Sequence, residues 1–445
     1  MEPDPGVGDH RLPVGGEADF GAAHQGAPEA AGDPGADLEG HGQAQQAAVV
    51  EQAQLAHGLE REEPSFSKVA MEGVYHLEEG AGFFGEQSAI KWSYSIKGGD
   101  TLYHVSGFFG KDIAYFICEG KQLRGDILLN GYWRKMVSTE TGLIHLTIAK
   151  YKGADTLLQA GTVITPGSIS ISGVYGKGQE APGLPVSFLY KRKLNSTPAF
   201  NILAHRSGGR TSDLLPVSEN SVAMILKTPE FGSTGVEVDV RFTKDGVPIL
   251  YHDNTLNLRE TQKSGLVGPI ENYTYEQLST FVRLVHGERI PTLREALDAV
   301  LYRTPLTFVW LDTKYIGSIA PVHAIQNEYL QKAAAAGRKL EIVIGLPGED
   351  QFNQFLALPG YASTPSLCEL TLDDVEKANA KIWAPRFTEG TQNALVDQVH
   401  AAGRRAFIWT VDVPEFINRY INEGHFDGML SNFPSCVAYH YYVHQ

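Results

Sequence analysis

The chain has little cysteine and no long hydrophobic run, and these two absences exclude several classes of protein. Cys118, Cys368 and Cys436 are the only cysteines in 445 residues, with no CxxC pair and no Cys/His spacing typical of zinc ligands. Three scattered thiols indicate packing residues rather than a disulfide framework. No stretch approaches the roughly 20 consecutive apolar residues of a transmembrane helix. The visible N-terminus also lacks the charged-then-apolar pattern of a signal peptide.

Basic residues are also in short supply. The 37 Lys and Arg against 52 Asp and Glu give a formal net charge of −15. Residues 1–64 contribute −11 of this through thirteen acids and two bases, so the remaining 381 residues carry only −4. A chain without a basic surplus is not expected to bind nucleic acid. The sequence also lacks a GxxxxGK[ST] motif, which argues against a P-loop nucleotide site.

The first 64 residues lack almost every residue type that builds a core. They consist mainly of Gly, Ala, Pro, Gln, His and acids, with one aromatic residue, Phe20. Such a composition buries too little apolar surface to offset chain entropy, so we expect residues 1–64 to be disordered. Two interpretations stay open. One is a gene start assigned too early, with translation beginning nearer Met71 or from a missing leader, and the other is a natural disordered tail.

Residues 70–193 show a different pattern, with eight short runs of alternating or β-branched residues separated by Gly, Asn, Asp and Lys. Runs at this spacing, without helical periodicity, predict an all-β barrel or sandwich, of which a lipocalin-like barrel is one form. The aromatic segment 131–134 either fills the barrel interior, which is the favoured interpretation, or presents a ligand surface. The runs begin at Gly73, Ser88, Thr101, Asp112, Gly125, Gly142, Gly167 and Pro185.

A polar linker ending in Pro198 precedes a C-terminal part, residues 194–445, with a strand–helix–strand pattern. Eight mostly buried strands with intervening helices predict an α/β domain of the (β/α)8 TIM-barrel type. The chain is therefore predicted to be multidomain, with an all-β barrel or sandwich followed by a TIM barrel. The strand candidates are Phe200–His205, Gly235–Val240, Pro248–His252, Leu306–Asp312, Leu340–Gly345, Lys381–Pro385, Ala406–Val411 and Asp427–Leu430.

Carboxylates and histidines stand at several of these strand ends, where a TIM barrel has its active residues. Glu237 and Asp239 are two residues apart, so a β-strand directs both carboxylates to the same face. Two neighbouring acids repel one another unless a cation or a proton lies between them. His205 and His252 each follow an apolar run. Paired carboxylates with two imidazoles at strand ends predict a metal-assisted acid–base site.

The ordered set of these motifs resembles the glycerophosphodiester phosphodiesterase family over residues 199–440. The resemblance implies a TIM-barrel phosphoric diester hydrolase that splits glycerophosphodiesters into glycerol 3-phosphate and an alcohol such as choline or ethanolamine. The sequence departs from the family at Ser207, where Gly normally follows Arg, at Asp312, where Glu is usual, and at Asn432, where Asp is common. The matching motifs are His205-Arg206, Glu219-Asn220, Glu237-x-Asp239, Thr243-x-Asp245-Gly246 and His252-Asp253.

The resemblance also implies a metal site and an acid/base pair. Glu237, Asp239 and Asp312 would bind one divalent cation, and oxygen-only ligation suits Mg²⁺ or Ca²⁺. His205 and His252 would be the general acid/base pair, since imidazole titrates near neutral pH and the cleavage needs one proton removed and one supplied. Which histidine is the base stays open. The nucleophile, either water or the glycerol 2-hydroxyl, stays open too.

By the same resemblance, three further residues would bind the substrate. Arg206 and Lys314 would bind the phosphate and offset its developing charge. Trp409 would pack its ring against the glycerol backbone. The alternatives are a structural salt bridge between Arg206 and Glu219, and a core position for Trp409.

Two other functions stay open at this point. One is phospholipase-type cleavage of a lipid or polymer phosphodiester, and the other is a catalytically weakened barrel with a lipid- or glycan-binding β-domain. The expected partner is a small-molecule phosphodiester. The sequence shows no membrane association and does not reveal the oligomeric state. It does not decide the location either, and an extracytoplasmic or cell-envelope place stays open.

Overall fold

The computed structural model of the chain describes residues 67–159 and 161–444. The segment 1–64, for which the sequence predicts disorder, lies outside the described residues. The described residues form two closed barrels within one compact unit. The strands of the first barrel are antiparallel, and those of the second are parallel and joined by helices.

The first barrel consists of eight strands, each hydrogen-bonded to the next, and the last strand closes onto the first. Neighbouring strands are antiparallel, and because the sheet closes on itself this region is a barrel and not a sandwich. The strands are β1 (Gly73–Leu77), β2 (Gln87–Lys97), β3 (Asp100–Phe109), β4 (Ala114–Leu123), β5 (Asp126–Lys135), β6 (Thr141–Ile148), β7 (Ser170–Tyr175) and β8 (Leu184–Arg192). Three short helices accompany them, α1 (Lys68–Met71), α2 (Ala81–Phe84) and α3 (Ala154–Leu157).

Aromatic side chains fill the interior of the first barrel. Phe84, Phe109 and Trp133 are all 0% exposed, and the ring centroid of Phe84 lies 4.9 Å from that of Phe109 and 5.6 Å from that of Trp133. Side chains alternate along β5, so Trp133 faces this interior while Tyr132 and Arg134 face the second barrel. The arrangement supports packing, rather than ligand binding, as the role of this aromatic segment.

The second barrel closes through the parallel pairing of eight strands. These are β9 (Asn201–Ala204), β10 (Gly235–Phe242), β14 (Phe308–Thr313), β15 (Glu341–Leu346), β16 (Ser366–Cys368), β17 (Ile382–Trp383), β18 (Arg405–Ile408) and β19 (Gly428–Ser431). Three short strands between β10 and β14 lie outside this ring, β11 (Pro248–Leu250), β12 (Thr255–Leu256) and β13 (Gly268–Pro269). Because β9 pairs with both β10 and β19, the sheet has no free edge in the ring, which is the predicted TIM-barrel arrangement.

The sequence prediction is wrong for one strand of the second barrel and omits another. It assigns Pro248–His252 to the barrel, but β11 pairs antiparallel with β10 across a turn at Gly246, where φ is +77°. This segment is therefore the second arm of a β-hairpin. The omitted barrel strand is β16, whose three residues are too few to show a periodicity. As a result, His252 follows a hairpin arm and not a parallel barrel strand.

Helices connect most of the parallel strands, and two of them begin with a capping box. The hydroxyl of Thr274 accepts from the Gln277 backbone N–H, and Thr292 does the same with Glu295. No helix in the described part of the chain combines the length and apolar character that a membrane span requires. The helices are α4 (Val222–Lys227), α5 (Tyr275–Phe281), α6 (Leu293–Arg303), α7 (Ala320–Ala335), α8 (Glu349–Leu356), α9 (Leu372–Lys377), α10 (Asn393–Ala401), α11 (Pro414–Glu423) and α12 (Pro434–Val443).

The two barrels share one hydrophobic core. Phe108 and Tyr115 of the first barrel belong to the same cluster of buried side chains as Phe231 and Val437 of the second. The ring centroids of Tyr115 and Phe231 are 5.6 Å apart, in an edge-to-face arrangement. Apolar surface from the outside of one barrel is therefore buried by the other, which stabilises both.

Candidate active site at the carboxyl end of the second barrel

Three carboxylates meet at the carboxyl end of the second barrel. Glu237 and Asp239 lie on β10, and Asp312 on β14 is paired with Asp239 in the parallel register. One oxygen of each acid lies within 4.8 Å of the others. Glu237 Oε1, Asp239 Oδ1 and Asp312 Oδ1 are buried and accept no hydrogen bond from the described part of the chain. Buried carboxylate oxygens without donors suit a hard divalent cation, so the cluster fits the metal site that the sequence predicts.

The charge of this cluster is only partly balanced by protein cations. Lys314 Nζ lies 2.5 Å from Asp312 Oδ2 and 3.4 Å from Asp239 Oδ1. Burial alone raises the pKa of Asp239, but the charges of Lys314 and His252 outweigh it, and the pKa falls well below its ordinary value. Burial, together with the charges of Asp239 and Asp312, raises the pKa of Glu237 well above its ordinary value. A bound cation would remove this penalty on the charged form of Glu237.

His205 follows β9 and is held by a neutral amide. Its Nδ1 lies 2.8 Å from Oδ1 of Asn432, whose Nδ2 donates to Asp412 at 2.6 Å. Because Asp412 accepts a hydrogen bond from the amide nitrogen of Asn432, the amide oxygen faces His205. An amide oxygen can only accept, so Nδ1 of His205 carries the ring proton. Nε2 keeps its lone pair and lies 3.9 Å from Glu237 Oε2. Burial and the charge of Arg206 lower the pKa of His205 to about 4, so the ring is neutral at pH 7.

His252 has a carboxylate as its partner instead. Its Nδ1 lies 2.7 Å from Asp253 Oδ1, and its Nε2 lies 2.9 Å from Arg206 Nη2. Arginine can only donate, so Nε2 accepts from Arg206, and the Nδ1–H donates to Asp253. Burial alone raises the pKa of Asp253, but hydrogen bonds from His252 and Arg259 outweigh it and lower the pKa. Asp253 is therefore charged next to the imidazole and orients the ring through the Nδ1–H.

Arg206 connects the acids with His252. Its backbone N–H donates to Glu237 Oε2 at 2.7 Å, and its Nη1 donates to Glu219 Oε1 at 3.0 Å. Glu219 is 1% exposed and also accepts from the Thr211 backbone N–H at 2.6 Å. The salt bridge that the sequence offers as an alternative role for Arg206 is thus present. This salt bridge orients the guanidinium, which stays within the candidate site.

Trp409 follows β18 and packs against the side chains that fill the second barrel, including Phe308 and Phe407. Its Nε1 donates to the Ala384 carbonyl at 2.8 Å, and the Arg386 guanidinium lies 5.1 Å from the indole ring centroid. The side chain is only partly buried. Trp409 therefore packs on the core, as one prediction has it, and also lies at the carboxyl end of its strand, where the other prediction places a substrate-binding ring.

The candidate residues fall within a segment that characterises one protein family. Residues 205–335 match the Glycerophosphoryl diester phosphodiesterase family. Over this segment the chain is similar to that family. The match ends before Trp409 and contains the seven other candidates, His205, Arg206, Glu237, Asp239, His252, Asp312 and Lys314.

Glycerophosphodiester phosphodiesterases of other organisms are similar to part of the chain. The glycerophosphodiester phosphodiesterase 1 of Rattus norvegicus is 36% identical over 137 residues, which are 29% of this chain and 38% of the relative. A glycerophosphodiester phosphodiesterase of Caldanaerobacter subterraneus is 33% identical over 105 residues, 22% of this chain and 40% of the relative. The chain thus spans about two fifths of the length of these curated relatives. The crystal structure of a glycerophosphodiester phosphodiesterase from Agrobacterium tumefaciens has a TM-score of 0.43 at 18% identity, over 54% of this chain and 99% of that one.

The site has an additional acid that the sequence prediction omits. Glu369 directly follows β16, and its buried Oε1 accepts no hydrogen bond from the described residues. Burial raises the pKa of Glu369 well above its ordinary value, and the charge of Asp312 adds to the effect. The only sequence signal is an acid after the short run Ser366–Cys368, and three residues are too few to identify a strand end.

A second acidic group surrounds His252. His252, Asp253 and Glu260 have potential ligand atoms within 4.8 Å of one another. Arg259, however, donates to Asp253 Oδ1 at 2.7 Å, to Glu260, and to Glu219 Oε1 at 3.2 Å. A protein cation therefore already balances this group, which orients His252. The sequence gives no signal for Arg259, because its partners are acids on different turns and loops.

Proposed function

We propose that this chain hydrolyses glycerophosphodiesters to glycerol 3-phosphate and an alcohol, with one divalent cation and two histidines as acid and base. One observation carries the proposal. Three carboxylates, each with a buried oxygen that accepts no hydrogen bond, lie at one barrel end together with two histidines, whose Nδ1 atoms each have a partner, and two cationic side chains. A cation site, a proton acceptor, a proton donor and phosphate-binding groups are the requirements of phosphodiester hydrolysis.

Glu237, Asp239 and Asp312 would hold the cation. The donor set contains oxygen and neither nitrogen nor sulfur, which supports Mg²⁺ or Ca²⁺ over softer metals. When bound, the cation would act as a Lewis acid on the phosphate oxygens. Arg206 and Lys314 would bind the other phosphate oxygens through charge-assisted hydrogen bonds.

His205 is the base of this mechanism and His252 is the acid. His205 is neutral with a free Nε2 lone pair, so it takes the proton from the attacking hydroxyl, which belongs to water or to the glycerol itself. Asp253 stabilises the protonated form of His252, which gives its Nε2 proton to the leaving alkoxide. In the structure Arg206 donates to that same Nε2. Phosphate binding therefore has to draw Arg206 away before His252 takes up its proton.

Trp409 would pack its ring against the glycerol backbone. If a lipid phosphodiester is the substrate instead, intact phospholipid is cleaved while small glycerophosphodiesters are inert. A panel of glycerophosphocholine, glycerophosphoethanolamine and phosphatidylcholine separates these two functions through the product released.

The test measures release of glycerol 3-phosphate from the two small diesters, and of choline or phosphocholine from phosphatidylcholine, with and without EDTA. We expect turnover of the small diesters that EDTA abolishes and that added Mg²⁺ or Ca²⁺ restores. Glu237→Gln is expected to lose at least about 10³-fold in kcat, whereas Glu341→Gln is expected to equal the wild type, because Glu341 is half-exposed at the opposite end of its strand. Turnover that is indifferent to the chelator, or a fully active Glu237→Gln enzyme, would contradict the proposal.

A further inference from the structure

The loop between β9 and α4 carries a large part of the candidate site. Arg206 lies near its start and Glu219 near its end, and Glu219 accepts hydrogen bonds from Arg206 and from the Thr211 backbone N–H. In the middle of the loop, Asp213 accepts from the backbone N–H and the guanidinium of Arg210, at 2.7 and 2.9 Å. These contacts hold Arg206 in place only if the middle of the loop has a fixed conformation.

The first barrel makes a contact that fixes this part of the loop. Arg134 on β5 is 0% exposed, and its guanidinium donates to the carbonyls of Asp213 and Leu214 at 2.8 Å each. Leu214 has a φ of +53°, a left-handed conformation that leucine rarely adopts. Two hydrogen bonds from one planar guanidinium select the direction of both carbonyls, so they hold the loop in this conformation.

A buried arginine is unusual at an interface whose sole role is to hold two barrels together. Removing a guanidinium from water is costly, and an apolar side chain would cover the same area without that cost. The loop carbonyls of Asp213 and Leu214 satisfy Nη1 and Nη2 of Arg134, while its Nε has no partner within the described residues. The hydrogen bonds of the Arg134 side chain are therefore directed at the backbone of this loop.

We propose that Arg134 is a positioning residue of the active site. Through Arg134, the first barrel holds Arg206 and Glu219 in the positions that substrate binding requires. The inference rests on the proposed function for its activity readout. Arg134 touches neither the carboxylate cluster nor the histidines, so it acts through the loop alone. The first barrel thereby becomes part of the catalytic unit rather than a separate binding module.

The chain offers a matched control on the same interface. Arg303, at the end of α6, donates through Nε to the Ile96 carbonyl of β2 at 2.9 Å. This is also an arginine-to-carbonyl bond between the barrels. It lies before β14, at the amino end of the parallel strands and away from the loop between β9 and α4. Loss of the Arg303 bond weakens the interface without releasing the loop.

The experiment compares Arg134→Met, Arg134→Lys and Arg303→Met in the full chain. For Arg134→Met we expect faster amide hydrogen exchange in peptides covering residues 206–221 and a kcat/KM for glycerophosphocholine lower by about 10–100-fold, since a displaced binding group costs this much. Arg134→Lys keeps one of the two hydrogen bonds and is expected to lie between Met and wild type in both readouts. Mn²⁺ affinity is expected to stay unchanged, because β10 and β14 hold the carboxylates. Arg303→Met is expected to leave exchange in the loop and kcat/KM at wild-type values.

Two results would overturn the inference. One is wild-type exchange in the loop of both Arg134 variants, and the other is an equal effect of Arg303→Met, which would mean a general loss of the interface. If Arg134→Met does not fold, Arg134→Lys gives the same comparison with wild type and decides. If the wild type releases no glycerol 3-phosphate from any substrate, the proposed function fails, whereas the exchange measurement still decides whether Arg134 fixes the loop.

Discussion

At the scale of single residues, the two candidate histidines differ through one neighbour each. Nδ1 of His205 faces the neutral amide of Asn432, and Nδ1 of His252 faces the carboxylate of Asp253. A carboxylate stabilises imidazolium by charge attraction, which an amide does not do. The residue at position 432 is one of the departures from the usual family pattern, and it favours a neutral His205. The same type of side chain is thus suited to accept a proton in one place and to supply it in the other.

The first prediction concerns Asp253. Asp253→Asn keeps the size and the hydrogen bond but removes the charge that stabilises protonated His252, so we expect kcat to fall by roughly 10²-fold or more with a similar melting temperature. The matched control is Asp397→Asn, since Asp397 accepts from Nδ1 of His425 at 2.6 Å on the exposed surface. Kinetics of both variants on glycerophosphocholine check the prediction. Equal activity of the two would exclude Asp253 from the proton transfer.

At the scale of elements, the site is built from strand ends and one hairpin. Parallel pairing of β10 with β14 places Asp239 beside Asp312. The hairpin formed by β10 and β11 then turns the chain back, so that the Tyr251 backbone N–H donates to the Asp239 carbonyl at 3.1 Å. His252 is the next residue. The antiparallel arm therefore places His252 near the carboxylates after a short turn. A parallel strand would need a longer crossover connection to bring a residue to the same place.

The second prediction concerns the last helix, α12, and the stability of the chain at low pH. Burial lowers the pKa of His440 from 6.5 to about 4, and its buried Nε2 has no partner within the described residues. The unfolded chain binds this proton near pH 6.5 and the folded chain only near pH 4. Between these values the unfolded state holds more protons, so the free energy of unfolding decreases as the pH falls.

Replacement of this histidine by an apolar ring removes that contribution. We expect His440→Phe to lose less of its free energy of unfolding than the wild type between pH 7 and pH 4, by roughly 1–3 kcal/mol. Phe281→Leu serves as the control, because Phe281 is 60% exposed and carries no titratable group, and it is expected to keep the wild-type pH dependence. Urea unfolding at several pH values measures both. Parallel curves for His440→Phe and wild type would refute the assignment.

At the scale of the whole molecule, the two barrels depend on one another. Phe108 and Tyr115 on the outside of the first barrel pack into the cluster that also contains Met224 and Ile225 of α4. That helix directly follows the loop that carries Arg206 and Glu219, so the shared core supports the element next to the candidate site. A common core also couples the unfolding of its parts.

The third prediction tests this coupling in the full chain. Phe108 is 0% exposed, and Phe108→Ala is expected to lower the free energy of unfolding by about 3–5 kcal/mol through lost burial and a cavity. Because the residue belongs to a core that both barrels share, calorimetry is expected to show one transition, moved as a whole to a lower temperature. Phe281→Ala, at a side chain that is 60% exposed, is the control and is expected to shift the transition little. Separate melting of the two barrels would contradict the shared core.

Much of the fold and the candidate site could be predicted because their signals are local. Eight alternating runs predict eight strands of the first barrel, since a strand shows its period within a few residues. The pair Glu237 and Asp239 is recognisable from its spacing within an apolar strand. His205 and His252 stand after apolar runs. The order of these motifs along the chain then carries the resemblance to the family.

The amino-acid sequence by itself indicated an all-β domain before a TIM barrel, most of the residues that meet at the mouth of the second barrel, and the resemblance to the phosphodiesterase family. Only the tertiary structure decided that Pro248–Leu250 is a hairpin arm, that Ser366–Cys368 is a barrel strand, and that Arg134 reaches a loop 79 residues away. The physical reason is the separation along the chain between the residues that interact. Periodicity and motif spacing record which face of its own element a side chain occupies, whereas strand partners and buried hydrogen bonds depend on segments that come together only in the folded chain.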